Sequence, residues 1–121
     1  MILSIISISS CYYDNLAEMT PSTGVIGGSC DTSGTMSYTS NIVPILQSNC
    51  GTSNSCHGSG NTSGYDLSTY AGVNAVVQNS KLISSITWSG TTPPMPQNGS
   101  KMSDCSITKI QKWVNAGAPN N

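Results

Sequence analysis

The sequence predicts an all-α domain of four to five short helices joined by long loops, and three observations carry that prediction. Ile107, Ile110, Trp113 and Val114 recur at helical spacing behind Ser103 and Asp104, as in an amphipathic helix with a polar cap. No segment shows the sustained apolar–polar alternation of a half-buried strand. Between the apolar clusters lie runs of Gly, Pro, Ser and Asn, residues that favour turns over regular structure.

The folded unit is expected over 38–121. Ser40 or Asn41 can cap a first helix, with Pro44 in its first turn, where a missing N–H costs little. Ile42, Val43, Ile45 and Leu46 supply its buried side. Asn49 to Tyr65 reads as a polar loop with four Gly and no hydrophobic period, yet it holds two Cys and the only His. A loop of that content points to function. Ser68 is the expected cap of a second helix through Tyr70, Val73, Val76 and Val77, and Asn79 that of a third carrying Leu82, Ile83 and Ile86. An irregular stretch, 89–100, contains Pro93-Pro94-Met95-Pro96. The last helix opens at Ser103 and Asp104 and ends before Gly117 and Pro119, with Lys109 and Lys112 complementing its dipole.

A chain of 121 residues holds one domain of this kind. Only 36% of it is hydrophobic and it has no Phe, so its lean core gains from a staple or an embedded cofactor. Four basic and five acidic residues give a net charge of −1, and the first Lys is Lys81. That distribution excludes a nucleic-acid clamp. Ser, Thr, Asn and Gly provide most of the polarity, which suits an exported surface. Five Cys point to an oxidising compartment or to covalent and metal chemistry.

Residues 1–11 resemble the end of a bacterial lipoprotein signal: a short apolar run, then Ile8-Ser9-Ser10 before Cys11. Lipid on Cys11 would anchor the protein at a membrane without a spanning helix. The run is short and lacks a basic start, so a terminal segment with a free thiol is the alternative. Residues 12–37, with Thr20-Pro21-Ser22-Thr23-Gly24 and Gly27-Gly28-Ser29, read as a tether.

The chemistry centres on Cys50-Gly-Thr-Ser-Asn-Ser-Cys56-His57. Covalent haem needs two thiols to add across its vinyl groups and an imidazole for the iron, usually as Cys-x-x-Cys-His. Here five residues separate the thiols, but the Cys-His pair is intact and Gly58 follows it. A thioether is a suitable second axial ligand; Met95, fixed between prolines, is the candidate, with Met36 and Met102 as competitors. Met36 precedes the expected folded unit, and Met102 adjoins a helix cap, where packing is its expected role. Two alternatives remain for Cys50 and Cys56: a local disulfide, or a zinc site lacking a nearby fourth ligand.

Taken in order, Ile42-Val-Pro-Ile-Leu, Cys50…Cys56-His57, Tyr65-Asp-Leu-Ser, Lys81-Leu-Ile, Met95-Pro and Ile110-Gln-Lys-Trp-Val-Asn-Ala-Gly-Ala resemble a known family. The pattern is similar to monohaem cytochrome c domains of exported and lipid-anchored proteins in Bacteroidetes-type bacteria, from about residue 30 to 119. The resemblance implies a cytochrome c-like fold around one covalent haem c. It implies thioethers at Cys50 and Cys56, with His57 and Met95 as axial iron ligands. Trp113 would then pack near the haem edge or the first helix. A Cys30–Cys105 disulfide is also implied, against two unrelated thiols. Closing that loop would stabilise by about 4 kcal/mol on the chain-entropy account.

The expected function is electron transfer to redox protein partners, at a periplasmic or cell-surface location through a lipid anchor. No enzyme activity, small-molecule substrate or nucleic acid is expected. Two other classes compete: a haem enzyme or sensor in which Met95 leaves the iron, and a haem-free, disulfide-stapled binding module at the cell surface. No distal His or Arg suggests peroxide chemistry.

Overall fold

A computed structural model describes residues 30–52, 56–61 and 63–121. The expected signal, the Cys11 lipidation site and the tether up to residue 29 lie outside the described residues. A π-helical turn, Tyr38–Ile42, leads into α1 (Val43–Cys50), followed by α2 (Tyr70–Gln78), α3 (Lys81–Thr87) and α4 (Asp104–Asn115). The described residues are helical and contain no strand, as the sequence predicts. None of their helices is long and apolar enough to cross a membrane.

Local chemistry explains most boundaries. The first cap is Ser37, upstream of the expected Ser40 or Asn41. Its hydroxyl accepts the Ser40 N–H at 3.3 Å, while its own N–H donates to Asn41 Oδ1 at 2.8 Å. This reciprocal bond opens the π-helical turn. Pro44 falls in the first turn of α1, and left-handed Gly51 (φ 59°) ends that helix. Cys50 is therefore the last residue of a helix and not part of the loop expected to start at Asn49.

The α2 cap is Thr69, which accepts the Gly72 N–H at 3.2 Å. Ser68, the expected cap, is engaged with Asp66, which takes both its N–H and its hydroxyl. Asn79 closes α2 through its N–H to Ala75 and also accepts the Lys81 N–H at 3.2 Å. It thus serves the end of one helix and the start of the next. Ser103 caps α4 as predicted, accepting the Ser106 N–H at 3.2 Å.

The π-helical turn packs on α1 and α4, and α3 packs on α2 and α4. Ile42, Leu46, Val73, Ile86, Ile110 and Trp113 are fully buried where these elements meet. Tyr38 and Trp113 do the work of the missing Phe. Their rings lie 5.6 Å apart, and Tyr70 meets Tyr38 edge-on at 5.1 Å. After α4 the chain crosses this aromatic group and is held to it. Trp113 donates its indole N–H to Pro119 O at 2.9 Å, and Tyr70 its hydroxyl to Ala118 O at 2.8 Å. The Asn121 carbonyl accepts from Thr39 N–H, Thr39 Oγ1 and Ser37 Oγ, all within 2.9 Å.

The expected boundary at Tyr38 moves upstream. Met36, placed before the folded unit by the sequence reading, is only 5% exposed and belongs to the core. Lys112 donates to Thr32 O. Cys30 is joined to Cys105 at the start of α4, with an S–S distance of 2.08 Å. Residues 30–37 are thus part of the folded unit, because α4 gives this segment a partner for its thiol and for a backbone carbonyl.

Candidate functional site

His57 is held by its backbone before its side chain is considered. Its N–H donates to Gly51 O at 3.3 Å, at the end of α1, and its carbonyl accepts from Leu67 N–H at 2.8 Å, just before α2. The residue therefore links two helix ends. Between them, Asn61 shapes a polar turn. Its Nδ2 donates to Gly58 O and, at 3.2 Å, to Tyr65 O, while its Oδ1 accepts the Ser63 N–H and hydroxyl at 2.9 and 2.6 Å.

This turn fixes the imidazole. Nδ1 of His57 lies 3.0 Å from Tyr65 O and 3.0 Å from Ser63 Oγ. A carbonyl can only accept, so Nδ1 carries the proton. The Ser63 hydroxyl has spent its own proton on Asn61, and it too accepts from Nδ1. In the neutral ring Nε2 is then the nitrogen with a lone pair to offer. A hydrogen bond from the other ring nitrogen to a carbonyl sets the tautomer of metal-binding histidines and raises their basicity. Tyr65 is itself clamped: Lys81 Nζ bonds to its hydroxyl and lies 4.9 Å from the ring centroid.

The two cysteines beside this ring are free thiols, while Cys30 and Cys105 are oxidised. Cys50 is half-buried against the core and Cys56 exposed. Burial pushes the Cys50 thiol up to about 11, with a smaller contribution from neighbouring Cys56. No three His, Cys, Asp or Glu side chains cluster as a metal site among the described residues.

Met95 stands on a separate loop. It is half-buried, with its N–H on Ser85 O at 3.0 Å and its carbonyl accepting from Trp88 Nε1 at 2.8 Å. Its described contacts do not include the Cys50–His57 segment. Its competitors Met36 and Met102 are both 5% exposed and lie in the core, which is the packing role expected of Met102. Trp113 is spent on Tyr38 and Pro119, so it packs on the turn that enters the first helix.

Two small cavities adjoin these elements. One, of about 100 Å³, is lined by Tyr38, Val43, Leu46, Gln47, Thr52, Leu67 and Ser68. The other, of about 200 Å³, lies between Ser33–Met36 and Lys112. Neither is lined by Cys50, Cys56, His57 or Met95.

No known family, curated protein or solved structure matches the chain. The functional reading rests on the residues themselves. Tested on donor chemistry, those residues fit a covalent haem: two free thiols precede an imidazole whose Nδ1 is engaged. Asn61, Ser63 and Tyr65 were not singled out in the sequence as site residues. Asn61 and Ser63 carry only an Asn-x-Ser turn pattern, common in plain loops, and Tyr65 enters only as part of the Tyr65-Asp-Leu-Ser motif.

Proposed function

We propose that the chain is an exported electron-transfer protein of the cytochrome c type with a cytochrome c-like fold. One haem c would be held by thioethers at Cys50 and Cys56, with His57 and Met95 as axial ligands. The observation that carries this reading is the 3.0 Å contact of His57 Nδ1 with the Tyr65 carbonyl. A carbonyl acceptor on Nδ1 leaves the ligand lone pair on Nε2, in the residue that follows the free thiol Cys56. When bound, haem would supply a one-electron iron couple. The chain's own residues would then hold and tune the group. Gly51 and Leu67 fix the height of the His57 backbone, Tyr65 and Ser63 fix its ring, and Ser85 and Trp88 fix the backbone of Met95.

With His57 and Met95 both on the iron, the haem would have no position left for a substrate, so the reading is of a carrier and not an enzyme. Redox proteins would be its partners, and with four basic and five acidic residues its docking should depend weakly on salt. The lipid anchor at Cys11 and a periplasmic or cell-surface location belong to the same proposal and rest on the Ile8-Ser9-Ser10-Cys11 pattern. A haem-free, disulfide-stapled module is the second reading. It draws on the Cys30–Cys105 bridge.

The test is export of the full chain in a cell that attaches haem to exported proteins. Mass spectrometry and the reduced absorption spectrum of the purified protein then report the outcome. One covalent haem, lost on replacing both Cys50 and Cys56 by Ala, supports the cytochrome reading. A haem-free protein from cells that load a control cytochrome would leave the stapled module.

A further inference from the structure

Trp88 stands out on three grounds. It is the one large hydrophobic side chain described as exposed, at 45%. Its backbone is left-handed (φ 58°, ψ 32°), a conformation that costs a bulky residue energy and that Gly or Asn would take more easily. Its indole N–H nevertheless has a defined partner, the carbonyl of Met95 at 2.8 Å.

The surroundings explain how the position is held. The last carbonyls of α3 are shared between the cap and the following loop: Trp88 N–H donates to Ser84 O and Ser85 O, and the loop returns to add further donors. Ser89 N–H donates to Ser84 O at 3.2 Å, and Met95 N–H to Ser85 O at 3.0 Å. Ser84 Oγ donates to Ser89 O, and Thr92 Oγ1 to Ser84 Oγ, both at 2.6 Å. The loop over 88–95 is thus stitched onto the end of α3, and Met95 has both backbone polar groups engaged. One is held by the helix end and the other by Trp88.

We infer that Trp88 is a positioning residue for the Met95 thioether. The inference rests on the proposed role of Met95 as axial ligand and names what holds it. A Met side chain has three rotatable bonds and adapts readily, so its delivery depends on a fixed backbone. Removing the indole N–H frees the Met95 carbonyl and leaves the residue tied only at its N–H. Half-exposure of an aromatic side chain at a strained φ gains little from burial, and the hydrogen bond to Met95 accounts for its place.

The experiment uses the haem-loaded full chain, with imidazole as competitor for the site of the thioether. Trp88→Phe keeps a ring and removes the donor. Trp88→Gly suits the left-handed φ and guards against a folding failure in the Phe variant. The readouts are the sulfur–iron absorption band of the ferric protein and its loss on titration with imidazole. The expected result is an apparent imidazole affinity raised about 2- to 10-fold, the factor that one hydrogen bond provides, in variants whose haem content equals the parent's. Equal imidazole affinity in parent and variants, in a protein whose band is abolished by Met95→Ala, overturns the role of Trp88 and leaves Met95 as ligand. A band that survives Met95→Ala, or a chain that takes up no haem, overturns both.

Discussion

Gly72→Ala provides a test in which two physical effects have opposite signs. Gly72 lies in the first turn of α2, and Ala in place of Gly within a helix is worth about 1 kcal/mol of added stability by intrinsic propensity. Against this, a Cβ at position 72 would stand 1.6 Å from the Asp66 carbonyl oxygen and 2.8 Å from its carbon. Both are backbone atoms, so no side chain can swing aside. The helix start must retreat from the 66–68 turn by well over an ångström. Retreat breaks the Thr69 cap on Gly72 N–H, worth about 1 kcal/mol, and strains or unpacks the junction at Leu67 by about 2 kcal/mol more. The net expectation is a loss of about 2 kcal/mol, or about 10 °C in Tm for a domain of this size. Denaturant titration of the purified parent and variant measures it. Gly34→Ala is the control, since nothing lies within 4 Å of its added Cβ, and it should stay within about 0.5 kcal/mol of the parent. Equal or increased stability of Gly72→Ala would refute the close approach.

Three further outcomes follow from the same structure. Replacing Cys30 and Cys105 by Ser should cost about 4 kcal/mol, since their bond closes a separation of 75 residues; a loss under 1 kcal/mol in denaturant unfolding would contradict the bridge. In the haem-free chain at pH 8, iodoacetamide should label exposed Cys56 well before Cys50. A thiol raised to about 11 holds about a hundred-fold less thiolate than an ordinary one, and peptide mass spectrometry reads the order. Asp66 is held below the usual carboxylate range by the Ser68 hydroxyl and N–H. Its stabilisation is fully present above the unfolded value near 3.8 and is lost as pH falls through the lower folded value. Stability measured between pH 5 and 2 (roughly the carboxylate window) should therefore fall less steeply in Asp66→Asn than in the parent.

How far the sequence could be read depended on the kind of interaction. Helix α4 was legible because Ile107, Ile110 and Trp113 repeat at its period behind a Ser103 cap, and each is buried. The cap of α2 was misplaced by one residue because Ser68 and Thr69 are both capping types, and only the carboxylate of Asp66 decides between them. Met36, a lone Met among Ser, Thr and Gly, has no period to announce its burial. The placement of Cys50 in a helix did have a signal, Gly51 directly after it, which marks a left-handed helix end. At the site, the adjacency of Cys56 and His57 is written in the sequence. The tautomer of His57 and the grip of Trp88 on Met95 are not, since both depend on local backbone geometry in segments without a hydrophobic pattern.

The Cys30–Cys105 bond has a topological consequence. Cys50, Cys56, His57 and Met95 all lie between the two joined residues, so every member of the candidate site belongs to one covalent ring. The exposed stretches inside that ring, such as 59–60, 63–64 and 97–101, are the kind of sites where proteases cut. A single cut there opens the ring into one branched molecule without releasing a fragment. His57 and Met95 stay tied together through the bridge even when the backbone between them is severed. In a protease-rich extracellular setting, a nicked chain would remain one covalent unit until the disulfide is also reduced.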